Sequence, residues 1–235
     1  MASDSRWHKT ENRPDTRAMG IGERRVHTLV LATANPGKVI EFERLLAEAG
    51  LSLHVLGLAA VGLSAPPETG ETFAENAILK ARHAAEGSGF PALADDSGLA
   101  VDGLAGAPGV RSARYAGEES NDEVNCQRLI AELARVPEAA RTARFHCAIA
   151  IALPDGTIET VEETFEGRVI TEPRGSGGFG YDSLFLIPER GLTLAELTLE
   201  DKNRISHRAR ATAQAVPVLR QLLGAMTPEK GAGEG

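Results

Sequence analysis

The sequence predicts a single α/β domain built around a mixed sheet. Three observations carry that prediction. Apolar runs of strand length alternate with segments whose apolar residues recur at helical spacing. Several helical segments open on residues that cap helix N-termini. A Pro154-Asp155-Gly156 turn joins two apolar runs as a hairpin, so part of the sheet is antiparallel. The 235 residues, 42% hydrophobic and 25% charged, are enough to bury a substantial core without staples.

The elements follow in order. Residues 27–33 (HTLVLAT) suit a buried strand. Asn35 is placed to cap a helix and Pro36 to occupy its first position. That helix runs to about Ala49, with Val39, Phe42, Leu45 and Leu46 at helical spacing. Residues 53–58 form a second strand. Thr72 and Glu75 make a capping box, and the helix they open puts Phe73, Ala77, Ala81 and Ala84 on one face. A short strand is expected at 91–94 and a glycine-rich loop at 98–109. Ser120 and Glu123 make a second capping box before a helix to about Arg135. Strands at 142–153 and 157–170 flank the hairpin turn, and another strand is expected at 181–187. Thr193 and Glu196 make a third capping box. A final helix runs from about Ser206 to Leu223, with Pro217 expected to kink it.

The ends read differently. Residues 1–26 are polar and lack an apolar period, so they are expected to be a disordered tail, with Met19 a candidate alternative start. They contain no apolar segment of the secretory kind, and their acidic residues argue against a transit peptide. Residues 226–235 (MTPEKGAGEG) are expected to be a second flexible tail around the domain at 27–225.

Charge and cysteine content exclude some roles. The net charge is -8; the first 26 residues carry six basic and four acidic groups, a +2 tail, so the remainder carries -10. That argues against a global grip on nucleic acid. No apolar stretch approaches the roughly 18 residues of a membrane span. The two cysteines, Cys126 and Cys147, are far apart and read as reduced thiols of a cytoplasmic protein.

Four segments are candidates for chemistry. Thr33-Ala34-Asn35-Pro36-Gly37-Lys38 lies where a strand meets a helix N-terminus, a position that favours phosphate; it serves equally as a plain capped helix with a surface lysine. It is not a Walker A loop. Glu68 sits in a loop after two prolines, and Asp95-Asp96-Ser97-Gly98 follows a short strand. Two hard oxygen ligands beside a phosphate pocket suit Mg²⁺, and an aspartate there suits a general base; a self-capping Asp-Ser-Gly turn is the alternative. Gly175, Gly177 and Gly180 satisfy G-x-G-x-x-G, but a strand is expected to follow, which rules out the dinucleotide motif. A loop holding Phe179 and Tyr181 can instead stack on a flat base, or simply turn a hairpin over two core aromatics. Lys202, His207 and Arg208, around a Ser206 cap, make a local anion site or a basic solvated helix start.

Together these are the parts of a nucleotide pocket, and at this level the chain resembles the noncanonical purine nucleoside triphosphate pyrophosphatases, the inosine triphosphate or Ham1-like pyrophosphatases. The resemblance rests on LATANPGK (31–38), ETFAENAILKARHAA (71–85), PALADDSGLAVDGLAGAPGVRSARYAG (91–117), GSGGFGYDSLF (175–185) and AELTLEDKNRISHRARA (195–211). It implies a two-lobed α/β fold, a long mixed central sheet flanked by helices, and an active-site cleft between the lobes. It implies hydrolysis of inosine, deoxyinosine and xanthosine triphosphates to the monophosphate and pyrophosphate, with Mg²⁺, by a homodimer.

Carried over by residue, the resemblance implies that Thr33, Ala34, Asn35, Pro36, Gly37 and Lys38 bind substrate, with Asn35 and Lys38 at the phosphates. Glu68 and Asp96 would hold the metal, Asp96 would be the proton acceptor with Asp95 beside it, and Ser97 would contact substrate. Phe179, Gly180, Tyr181 and Asp182 would bracket the base, Lys202 would hold phosphate or base, and His207 and Arg208 would read the base edge. Lys38 and Lys202 would stabilise the leaving pyrophosphate. Many relatives carry two acids where this chain has Pro67-Glu68, leaving Glu68 alone there. The competing readings are the related Maf-like dTTP or UTP pyrophosphatases and a nucleotide-binding regulator without turnover.

Overall fold

In the computed structural model, which describes residues 27–226, the first apolar run forms strand β1 (His27–Leu31). The expected tail at 1–26 and residues 227–235 lie outside the described residues. Asn35 caps helix α1 (Pro36–Glu48), its side-chain oxygen accepting from the Gly37 and Lys38 amides at 2.8 and 3.2 Å. Strand β2 (Leu53–Gly57) runs parallel to β1. Thr72 and Glu75 close both bonds of the expected capping box on helix α2 (Phe73–Ser88).

Strand β3 (Ala92–Val101) differs from the expectation of a short strand and a following loop. Asp95, Asp96, Ser97 and Gly98 are poor strand formers, yet all four are inside β3. Two tertiary effects override propensity. β3 pairs antiparallel with strand β4 (Thr142–Ala152) from Ala92↔Ala152 to Val101↔Ala143, and every polar side chain in it finds a partner. Gly98 is required, since a Cβ there would come within 2.4 Å of Ser112 Oγ.

Helix α3 (Asp122–Leu133) is capped by Asn121, whose side chain accepts from Val124 N at 2.9 Å. The expected cap, Ser120, instead donates to Gly117 O. β4 and strand β5 (Ile158–Val169) form the predicted hairpin. The strand expected at 181–187 is shorter: residues 180–183 make a 3₁₀ turn, and strand β6 spans only Phe185–Ile187. The turn forms because Asp182 reaches back to the Phe179 amide at 3.0 Å. After strand β7 (Leu192–Thr193), the third capping box opens a single 3₁₀ turn, in which Glu196 accepts from Thr193 N. The sequence reading missed the short helix α4 (Leu199–Ile205). Helix α5 (His207–Ala225) is capped by Ser206 and continues through Pro217.

The sheet has the order β2-β1-β3-β4-β5-β6-β7, parallel across β2, β1 and β3 and antiparallel beyond. On one face α1 and α5 pack Phe42, Leu46, Ala211, Ala215 and Leu219 against Leu29, Leu31, Leu93 and Ile149. On the other, α2 packs Ala77, Ala81 and Ala84 against Val30, Ala92 and Ala148. A third cluster joins α3 to the far ends of β3, β4 and β5 and forms the second lobe.

Candidate active site

The cleft begins where β1 stops. β1 meets β3 only at Val30↔Ala92 and Leu31↔Leu93, whereas β3 continues to Val101. Past Leu93, no strand among the described residues pairs with β3 on that side, and residues 32–35 lead from β1 into α1 there. The C-terminal end of a parallel strand is the usual ligand position in an α/β sheet. At that helix start the amides of Gly37 and Lys38 are held by Asn35 Oδ1.

Successive strand residues point to opposite faces, and this separates the two aspartates. Asp96 faces α2. Its Oδ1 lies 2.7 Å from Lys80 Nζ, which also lies 2.8 Å from Glu68 Oε1. Glu68 is held from its other side by Arg114 at 2.9 Å. Burial raises the Asp96 carboxyl above its usual range, against the pull of Lys80. Burial also pushes Glu68 up, but the Lys80 and Arg114 charges win and hold it below its usual value. Lys80 is raised because Asp96, Asp95 and Glu68 outweigh its desolvation.

Asp95 faces α1 and α5. Its Oδ1 is 3.1 Å from Lys38 Nζ, and its Oδ2 is 3.2 Å from Arg208 Nη2 and 2.9 Å from Ser97 Oγ. Arg208 also meets Glu41 at 2.8 Å. Burial alone would raise Asp95, but Lys38 and Arg208 hold it far below the carboxylate range. Asp95 therefore ties Lys38 to Arg208.

A cavity of about 110 Å³ lies on that side, lined by Asn35, Lys38, Ser97, Phe179, Gly180, Tyr181, Asp182, Lys202, His207 and Arg208 among others. Lys202 pairs with Asp182 at 2.7 Å and sits 4.8 Å from the Phe179 ring centroid. The Arg208 guanidinium lies 5.5 Å from the same ring. His207 stacks on Phe145 at 4.6 Å, and its Nδ1 is buried without a hydrogen-bond partner among the described residues. Burial, with Arg208 and Lys202 adding to it, keeps that imidazole neutral far below its usual pKa. Thr33 and Ala34 sit in the β1–α1 loop and Pro36 opens α1, none of them lining this cavity, and Gly37 packs beside Phe179. Glu68 and Asp96 lie on the α2 side.

Sequence reasoning missed Lys80, Asn76, Arg114 and Glu41. Asn76 donates to Asp96 Oδ2 at 3.4 Å. Lys80 and Asn76 are four residues apart on α2, and a helix whose inward face is otherwise alanine signals them: a lysine there must meet acids. Among the described residues no group of three or more His, Cys, Asp or Glu is arranged around a metal. Two carboxylates already converging on one cation do match the oxygen donors that Mg²⁺ takes alongside substrate phosphates.

Comparisons with known proteins find similarity along most of the chain. The model of the Ham1 family matches residues 29–218. A Geobacillus kaustophilus protein named dITP/XTP pyrophosphatase is 50% identical over 196 residues, covering 83% of this chain and 96% of that protein. A Streptomyces coelicolor protein of the same name is 50% identical over 197 residues, covering 83% and 98%. Among solved structures, a Ham1 protein from Coxiella burnetii is similar with a TM-score of 0.76 and 41% identity, covering 83% of this chain and all of that one. A nucleoside-triphosphatase, or dITP/XTP pyrophosphatase, from Mycobacterium abscessus follows at a TM-score of 0.67 and 40% identity, covering 82% and 100%.

Proposed function

This chain belongs to the Ham1 family, and from that premise we propose that it hydrolyses inosine, deoxyinosine and xanthosine triphosphates to the monophosphate and pyrophosphate, clearing them from the nucleotide pool. The observation that carries the reading is the meeting of two compartments at the end of β1. One is the carboxylate pair around Lys80, the other the aromatic and cationic cavity around Phe179, and Lys38 stands between them.

The base stacks on Phe179, with Lys202 and Asp182 fixed beside it. Arg208, held by Glu41, Asp95 and Ser97, donates toward the 6-oxo edge together with His207. A 6-amino purine leaves those donors unpaired, a mismatch that discriminates strongly. Lys38 and the Thr33–Lys38 loop hold the phosphates. Asp96 takes a proton from the water that attacks the α-phosphorus, a role its raised carboxyl suits. Lys38 stabilises charge on the departing pyrophosphate. In this reading Lys202, paired with Asp182, serves the base end rather than the leaving pyrophosphate.

Glu68 and Asp96 are the residues that would hold Mg²⁺, which when bound supplies neutralisation of phosphate charge. Two unpaired thiols, Cys126 and Cys147, accord with a cytoplasmic enzyme. No helix among the described residues is long and apolar enough to cross a membrane. A homodimer that binds neither nucleic acid nor membrane completes the proposal.

The test is pyrophosphate release with Mg²⁺ from ITP, XTP, dTTP, UTP, ATP and GTP. Fast turnover of ITP and XTP with slow ATP and GTP is expected. Turnover confined to dTTP or UTP, or none at all, would overturn the reading.

A further inference from the structure

The base-stacking segment has no regular structure of its own to hold it. Residues 175–179 lie outside helix and strand, and the 3₁₀ turn at 180–183 is a single turn. Its local hydrogen bond, Phe179 N to Asp182 Oδ2, closes the turn but does not fix where the turn sits. Anchors from other elements must do that. One is Tyr181, whose hydroxyl donates to Ser112 O at 2.8 Å. Another is the Lys202–Asp182 pair, which belongs to the binding site itself.

A third is the backbone bond from Gly177 N to Ala195 O at 2.9 Å. Two further anchors come from α3, and both act on Gly180. Asp122 Oδ2 accepts from Gly180 N at 2.7 Å. Cys126 Sγ donates to Gly180 O at 3.4 Å. Asp122 and Cys126 are four residues apart and so share one face of the helix. One helix face thus holds the amide of Gly180 and its carbonyl, immediately after Phe179. Burial, with Asp122 and Asp182 adding to it, pushes the Cys126 thiol up to about 11, so it stays a protonated donor at neutral pH.

We propose that Asp122 and Cys126 are positioning residues that clamp Gly180 and thereby set the Phe179 ring at the depth and tilt the purine needs. The clamp rests on the function proposed above. It acts on binding rather than on the proton transfer at Asp96, which lies on the other face of β3. Its loss shows as a raised KM at nearly constant kcat. The acceptor oxygen matters, and the charge does not.

The experiment measures steady-state ITP hydrolysis by the full-length enzyme and its variants, with a melting curve for each. Asp122→Ala is expected to raise KM about fivefold, the worth of one good hydrogen bond, with kcat within about twofold. Asp122→Asn keeps an acceptor oxygen and is expected to restore KM to within about twofold of wild type. Cys126→Ala is expected to raise KM about twofold, and Cys126→Ser, which keeps a donor, to restore it; this pair carries the test if Asp122→Ala does not fold. Unchanged KM in both alanine variants overturns the clamp. So does an equal rise in Asp122→Ala and Asp122→Asn, which would mean the carboxylate charge meets substrate directly. Wild-type enzyme is assayed first: absence of ITP turnover overturns the functional reading, whereas wild-type turnover with indifferent variants overturns the clamp alone.

Discussion

The Lys80 ammonium lies 2.7 Å from Asp96 Oδ1, both side chains buried, on the α2 face of β3. The proposed general base therefore has a lysine as its nearest partner, and the same lysine joins it to Glu68. This arrangement keeps two carboxylates close together in a protein that is otherwise strongly acidic.

Asp96→Asn removes the proton acceptor while keeping the shape. We expect kcat for ITP to fall by about 10²–10⁴-fold, with the melting temperature lowered less than by loss of Lys80, because Glu68 still pairs with that lysine. Pyrophosphate release and a thermal melt check both halves; near-normal turnover would remove Asp96 from the chemistry.

Lys80→Met leaves Glu68 and Asp96 without their shared counter-charge. Breaking a buried pair from one side costs about 3–5 kcal/mol. For a chain of this size the melting temperature should fall by roughly 6–20 °C. A melt at neutral pH reads it, and a shift under a few degrees would mean that solvent already screens the pair.

Phe179→Ala should raise KM for ITP by roughly 5–150-fold, because base–aromatic stacking contributes about 1–3 kcal/mol. Binding of the monophosphate product, measured by calorimetry, should weaken in parallel. An unchanged KM would mean the base sits elsewhere.

His207 gives a pH dependence of stability. Its folded-state pKa is depressed by burial, with Arg208 and Lys202 adding to it, so below pH 6.5 the unfolded chain binds a proton that the folded one refuses. Stability from this residue is therefore intact above the unfolded pKa and declines as pH falls below it, by up to about 1.4 kcal/mol per pH unit. His207→Phe, which keeps an aromatic ring against Phe145, should flatten that part of the curve. Urea melts of both proteins from pH 7.5 to 5 check it, and parallel curves would contradict it.

Much of the fold was legible because its signals were local. Asn35-Pro36 and Thr72-x-x-Glu75 mark helix starts through side-chain caps, and the 154–156 turn marks the hairpin. β3 was not legible past residue 94, because its polar residues are strand only by virtue of β4 and of partners such as Lys80, Lys38 and Arg208, distant in sequence. For the same reason Asp95 and Asp96 read as one pair of carboxylates past a strand end, with a turn as the alternative, whereas a strand sends them to opposite faces with different partners. The segments that resemble the family cover the cleft, and the alanine face of α2 marks Lys80, but that Lys80 and Arg114 together hold Glu68 emerges only once α2 and the 109–114 turn are folded beside it.

The most direct test of the account is hydrolysis of ITP in water enriched in ¹⁸O, with mass spectrometry of both products. Attack on the α-phosphorus by a water that Asp96 deprotonates puts the label in inosine monophosphate and none in pyrophosphate. Label in pyrophosphate, or release of single phosphates, would contradict it.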